Sequence, residues 1–420
     1  MPPKRSTNVA MLRVVPAILN RIARAPAAIF VGWFLAIFAL ERTLACFVPT
    51  TYEWDVLTRA LIAWEMATKG LVDYVLIRRE TVWLPGYMLV EAGLFRLTKA
   101  NPVVLGEFVS AVSAGLIAGY VYLLGRLVGV TERQARQAPA LLLVSGYALA
   151  YFSQGMTEAF ATWLFTGAVY HLLQARASGS RWHTFAAAAY LLVHAMTRWE
   201  GILYLALIPA ALVVMNWRFF GKNWGALFSL IYKLCLPAGL FAGGWLLYAR
   251  WARGNGLDGV NRVRGIVQQA PLPFVGNPFF SLGLGAMGLV ATSGGLWLAI
   301  APHLQPLLRP RGKEGPVTAE QHNRIFLALL GWLHVAWVCT FSYAGLLAGW
   351  PRHLLYVLPL TAVLFSAVKW ENATKRRLLG LSIFCGIVAF AVNVGLHQVY
   401  LGGPEDILRV RWAPIIAVPR

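Results

Sequence analysis

Cysteine is scarce in this chain: four among 420 residues, Cys46, Cys235, Cys339 and Cys385, each alone in or beside an apolar stretch. With no CxxC spacing, neither a disulfide framework nor a zinc site is offered, and the four read as packing residues. Charge is thin as well, at 13% of residues, and acid is the scarcer sign, with 17 Asp+Glu against 37 Lys+Arg. There is no GxxxxGK(S/T) phosphate loop, no HExxH, no GxSxG and no paired-histidine spacing, so the motifs of ATPases, zincins and α/β-hydrolases are all missing. Internal repeats, low-complexity tracts and a separate soluble domain are absent too, which leaves one functional unit over 1–420.

What fills the chain is apolar sequence. Hydrophobic residues make up 58%, in runs long enough to cross a bilayer, so the composition predicts an all-α, multi-pass membrane protein. The net charge of +20 would suggest nucleic acid in a soluble protein. Here the basic residues cluster in short segments between apolar runs, the positive-inside pattern, and no nucleic-acid partner is expected. Lys4, Arg5, Arg13, Arg21 and Arg24 precede the first acid, Glu41. The run that follows is too long for a signal-peptide core and predicts an uncleaved first span with a cytoplasmic basic flank over 1–26.

Spans are expected near 27–48, 103–125, 138–153, 158–175, 184–197, 200–216, 234–250, 283–301, 325–346, 353–368 and 378–399, eleven in all with a range of 10 to 13. The apolar segment 82–97 contains Pro85, Gly86 and Glu91. At about 1.5 Å per residue it reaches only about 24 Å, short of a core of about 30 Å, and is better placed along the interface. Leaving it out puts a basic cluster on every inside loop, and it puts Asp55, Glu158, Arg198 and Arg352 together on the far side. The first external loop is then 49–102, with an amphipathic helix over 55–69 that has Val56, Ala60, Ala63 and Ala67 on one face, and a second juxtamembrane helix at 82–97. A second external loop, 251–282, has the mix of arginine, aspartate and proline expected of an ordered lid or a substrate-contacting loop.

Ionisable groups at the rim of a membrane bundle are expensive, and each raises a functional question. Asp55 sits in the cluster Tyr52-Glu53-Trp54-Asp55, with Arg59 one turn later, and Glu158 stands where the third span emerges. Either acid also suits a first helical turn, where the dipole favours negative charge. Arg198 and Glu200 lie in Thr197-Arg198-Trp199-Glu200-Gly201, an external hairpin that could be purely structural or could aim a cation at a phosphate. Arg352 and His353 open the tenth span after Trp350-Pro351, where arginine is also a common interface anchor. Arg78-Arg79-Glu80 adds cations suited equally to lipid headgroups.

In order along the chain, the acidic cluster with Asp55, the Trp83-Leu84-Pro85-Gly86-Tyr87 opening of a juxtamembrane helix, Glu158, the Thr197 to Gly201 turn, and Arg352-His353 ahead of Pro359 resemble the GT-C superfamily of membrane glycosyltransferases. The likeness is to its protein O-mannosyltransferase and aminoarabinose-transferase branch, over about residues 27–370. Relatives often carry adjacent acids in the first loop, whereas Trp54 separates Glu53 from Asp55 here, and many have Asp where Glu158 stands.

The resemblance implies an inverting transfer of a sugar, hexosyl or mannosyl in type, from a polyprenyl-phosphate donor to a hydroxyl of a glycan, lipid or protein acceptor on the non-cytoplasmic face. Asp55 would be the general base and Glu158 would orient the acceptor or join Asp55 in holding Mg²⁺ or Mn²⁺. Arg198 and Arg352, with Arg79 and His353 behind them, would hold the donor phosphate, and Glu53, Arg59, Glu200 and Tyr87 would support the site. No organic cofactor is expected. A bacterial inner membrane facing the periplasm suits this topology, with an ER membrane facing the lumen as the alternative. A flippase or transporter of a lipid-linked or anionic substrate is the rival reading, although carriers tend to place ionisable residues on broken helices at the midplane. A non-catalytic scaffold subunit would share the fold and have no need of Asp55.

Overall fold

The computed structural model describes residues 25–43, 54–79, 82–220, 223–269, 275–308, 317–346 and 351–400. Glu53 and the basic N-terminus lie outside these. Helices account for the architecture, and the described residues contain no strand. Six helical segments are long and apolar enough to cross a membrane: Ala25–Thr43 (α1), Pro102–Leu127 (α4), Trp199–Phe219, Trp224–Arg253 (α10), Pro278–Leu308 and Ala319–Tyr343 (α14). The protein is an integral membrane protein. Large apolar side chains on α10 and on the Pro278–Leu308 segment face outward, among them Leu240, Leu247, Phe279 and Met287, as they would toward lipid.

Helical segments stand at each of the eleven expected span positions, but several are interrupted. The segment expected at 138–153 begins as a 3-10 turn over Ala138–Val144, which includes Pro139, and resumes as a short helix, α6 (Gly146–Phe152), capped by the Ser145 side chain. The Pro278–Leu308 segment divides into α12 (Pro278–Ser293), a 3-10 stretch over Gly294–Ala299 and α13 (Ile300–Leu308). Gly294, at φ +54°, supplies the left-handed backbone that this break needs. Before α15 (Val357–Ala367) comes a single 3-10 turn, Pro351–Leu354.

The centre of the bundle is α4 packed on α7 (Thr157–Ser178), which in turn packs on α8 (Arg181–Thr197). Small residues on α7, including Ala159, Ala161 and Ala168, are fully buried and let the backbones approach closely. The α-helical part of Trp199–Phe219, α9 (Trp199–Met215), folds back on α8, and α14 and α15 close the core behind it.

Two helices of the first loop cover one end of this core. The first, α2, runs over Trp54–Thr68 and buries Val56, Ala60 and Ala63 as its pattern predicts, while Ala67 is half-buried. The second, α3, runs over Gly86–Thr98, and the pair packs together on α4. Gly86 permits the docking: a Cβ there would lie 2.8 Å from Thr197 Oγ1 and 2.9 Å from the Met196 carbonyl. The segment expected to be a second external loop, 251–282, is largely helical, because α10 continues through Arg253 and Asp258–Gln269 forms another helix, α11. Its apolar residues recur at helical spacing between the arginines, a pattern obscured by the flanking prolines.

Gly201 fixes the α8–α9 hairpin in the same way. A Cβ at this position would collide with the backbone of His194 and Ala195. Gly201→Ala is expected to destabilise the fold by about 1–3 kcal/mol through overpacking, read as a lower melting temperature in detergent. Gly225→Ala, where a Cβ meets nothing within 4 Å, should leave it unchanged.

Candidate active site

Where α2 and the starts of α7 and α9 meet the Pro351–Leu354 turn, carboxylates and guanidiniums interlock. Asp55 lies in the first turn of α2, and its Oδ2 is 3.0 Å from Arg352 Nη1 and 3.8 Å from Arg59 Nη2. Burial alone would raise the Asp55 pKa, but Arg352 and Arg59 outweigh it and hold the carboxyl below the usual value. Arg59 is held in turn, with its guanidinium 4.6 Å above the Trp83 ring and Nη1 3.8 Å from Met156 Sδ.

Glu158 starts α7 and is 2% exposed. The turn that delivers it is pinned from below. Gly155 takes the left-handed conformation at φ +69°, its carbonyl lies 2.9 Å from Tyr87 Oη, and Ser110 Oγ donates to Met156 O at 3.0 Å. Tyr87 thus acts behind the site, on the backbone. Glu158 Oε1 meets Arg198 Nη1 at 2.5 Å and Arg352 Nε at 3.7 Å, while Oε2 is buried without a hydrogen-bond partner among the described residues.

Arg198 occupies the extended residue between α8 and α9, at φ −146° and ψ 149°. It binds Glu200 through both forks, Nε to Oε2 at 3.1 Å and Nη2 to Oε1 at 2.8 Å, and Thr157 Oγ1 at 3.0 Å. Glu200 Oε1 also receives His353 Nδ1 at 2.6 Å. Of the residues that sequence reasoning named, Asp55, Glu158, Arg198, Arg352, His353, Arg59 and Glu200 therefore join one network. Their contact puts them at one end of the bundle.

Arg79 is not brought into that network: its guanidinium lies over the Trp251 ring, 5.6 Å from the centroid, and its carbonyl accepts from Arg253. Arg198 differs from the expectation too. It is not an open cation, since two carboxylates already surround it. The structure also adds residues that sequence reasoning missed. His334 and Tyr204 sit directly behind His353, with His334 Nε2 2.5 Å from the His353 carbonyl and Tyr204 Oη 2.7 Å from His334 Nδ1. His334, an ionisable residue within an apolar run, carried a usable signal. Tyr204 carried none.

The divalent cation expected between Asp55 and Glu158 meets an occupied space. Both carboxylates touch the same Arg352 guanidinium, and no group of three or more His, Cys, Asp or Glu comes together among the described residues. In this arrangement the two carboxylates are turned to a guanidinium, and a divalent cation could join them only if Arg352 left.

No family model and no curated protein matches this chain. Among solved structures, it is similar to ArnT from Cupriavidus metallidurans bound to undecaprenyl phosphate, at 16% identity and a TM-score of 0.59 over 87% of this chain. It is also similar to the same protein in the apo state, at 18% identity and a TM-score of 0.54 over 86%. The chain spans 65% of the length of either. The order of helices, the juxtamembrane pair over one end and this likeness agree with the family resemblance in the sequence: the chain has the GT-C fold, as ArnT does.

Proposed function

We propose that this protein is a polyprenyl-phosphate-dependent glycosyltransferase that moves a sugar, hexosyl or mannosyl in type, to a hydroxyl acceptor on the non-cytoplasmic membrane face, inverting the anomeric carbon. The observation that carries the reading is the convergence of Asp55, Glu158, Arg198 and Arg352 at one end of a GT-C bundle. The undecaprenyl phosphate bound to ArnT supports a lipid phosphate as the carrier.

In this reading Asp55 is ionised at neutral pH and takes the acceptor's proton as the acceptor oxygen attacks the anomeric carbon. The bond from that carbon to the phosphate oxygen breaks, and the departing phosphate gains charge. Arg352, reaching both carboxylates from a short turn, is the cation best placed to swing from Asp55 to the phosphate, and this exchange would free the base as the donor arrives. Arg198, clamped on Glu158 and Glu200, shapes the site. Glu158, with one oxygen unpartnered, orients the acceptor hydroxyl. No step needs a metal, so transfer is expected to survive a chelator such as EDTA; complete loss restored by Mg²⁺ or Mn²⁺ would count against this arrangement.

A carrier would favour charges spread along a path through the midplane, and the grouping at one end speaks for the transferase. The test is reconstitution of the purified protein with a panel of polyprenyl-phosphate sugars. Formation of a new glycosidic bond by wild type and its loss in Asp55→Asn at matched folding would support the proposal. Movement of the lipid across sealed vesicles without a new bond would overturn it.

A further inference from the structure

Around Glu200 and His353 the contacts determine where each proton sits. A backbone carbonyl only accepts, so the 2.5 Å approach of His334 Nε2 to the His353 carbonyl places the His334 proton on Nε2. Its bare Nδ1 then receives the proton of Tyr204 Oη at 2.7 Å. Tyr204 and His334 are 0% and 1% exposed, and their rings stack at 5.6 Å, so this arrangement is held by packing as well.

His353 presents the same problem one link nearer the site. Glu200 already takes two hydrogen bonds from Arg198, as an ionised carboxylate does, so the 2.6 Å contact with His353 Nδ1 requires the imidazole to donate from Nδ1. A second proton on the ring would set another cation beside Arg198, which shares Glu200, and beside Arg352, its neighbour in the chain. Nε2 therefore keeps its lone pair. It meets no hydrogen-bond partner among the described residues, and the side chain retains 10% exposure in an otherwise closed setting.

We propose that Glu200 locks His353 as the Nδ1-protonated tautomer so that Nε2 accepts a hydrogen bond from a hydroxyl of the substrate sugar, with His334 and Tyr204 as positioning residues. The ligand class differs from the phosphate that sequence reasoning assigned to His353. A neutral ring in this tautomer has no N–H left for an anion. The sugar's identity rests on the transferase reading, whereas the tautomer lock does not.

The experiment uses the full chain, labelled with ¹⁵N-histidine, in detergent micelles, with two-bond ¹H–¹⁵N correlation and His353→Gln to assign the signal. Wild type should show His353 protonated on Nδ1 at neutral pH, and Glu200→Leu, which leaves Nδ1 no acceptor, should raise the fraction protonated on Nε2. A wild-type proton on Nε2, or on both nitrogens, overturns the lock. Next, a polyprenyl-phosphate hexose should shift the Nε2 resonance while polyprenyl phosphate alone leaves it in place, and Tyr204→Phe should raise KM for the sugar lipid up to about tenfold, the worth of one hydrogen bond. An equal shift with the bare phosphate, or none with either lipid, overturns the hydroxyl assignment. A sugar-dependent shift without turnover supports the assignment and falls on the transferase reading alone.

Discussion

Arg198→Met is expected to destabilise the protein by about 3–5 kcal/mol, because it strands two carboxylates in a site nearly closed to water. Arg198 gives Glu158 its 2.5 Å contact and Glu200 its forked pair, and the side chains concerned are 10%, 2% and 6% exposed. Methionine fills similar space and leaves Glu158 with Arg352 at 3.7 Å and Glu200 with the His353 imidazole as their remaining contacts. The measurement is thermal unfolding in detergent, with Glu158→Gln added to the variant: removing one stranded charge should recover part of the loss. Arg262→Met, which breaks a half-exposed pair with Asp258 at 3.0 Å, sets the scale, since such pairs contribute about 0–1 kcal/mol. Equal effects at the two positions would mean that the buried network is far better hydrated than its exposures indicate.

Asp55→Asn is expected to lower transfer by about 10²–10⁴-fold with the fold intact, the range for losing a positioned proton acceptor. The amide keeps the shape of the carboxylate and can still accept from Arg352 Nη1, so the melting temperature should fall less than for Arg198→Met. In the proposed reading Asp55 acts in the chemical step, and the loss should appear in kcat, with KM for the donor little changed. The measurement is initial-rate transfer in proteoliposomes. Loss confined to KM would move Asp55 from the chemistry to donor binding.

Much of this architecture was legible because membrane sequence is written in coarse signals. Long apolar runs fix where helices stand, and basic clusters between them fix how the runs alternate, which is how Asp55, Glu158, Arg198 and Arg352 could be grouped before any fold was known. Periodicity over 55–69 marked α2 and its buried Val56, Ala60 and Ala63, although Arg59, Leu61 and Ile62 on its other sides are buried too. The finer features depended on distant residues. Arg198 is neutralised partly by a glutamate 40 positions away, and Arg352 reaches an aspartate 297 positions away, pairings that no local pattern encodes. Arg79 looked like one more cation of the site; its stacking on Trp251, far along the chain, draws it elsewhere. The break at Gly294-Gly295 had a signal in the glycine pair, outweighed by the apolar run around it.

The Pro351–Leu354 turn carries Arg352 and His353 as chain neighbours. Adjacent Cα atoms across a trans peptide stand about 3.8 Å apart, a spacing that no rearrangement of helices can alter. If one side chain answers the leaving phosphate and the next a hydroxyl on the sugar, as proposed, the protein would measure its donor against a covalent ruler. A sugar whose hydroxyl stood at a different reach from its phosphate would satisfy one neighbour only by losing the other, so selectivity among donors would reside in the length of a single peptide unit.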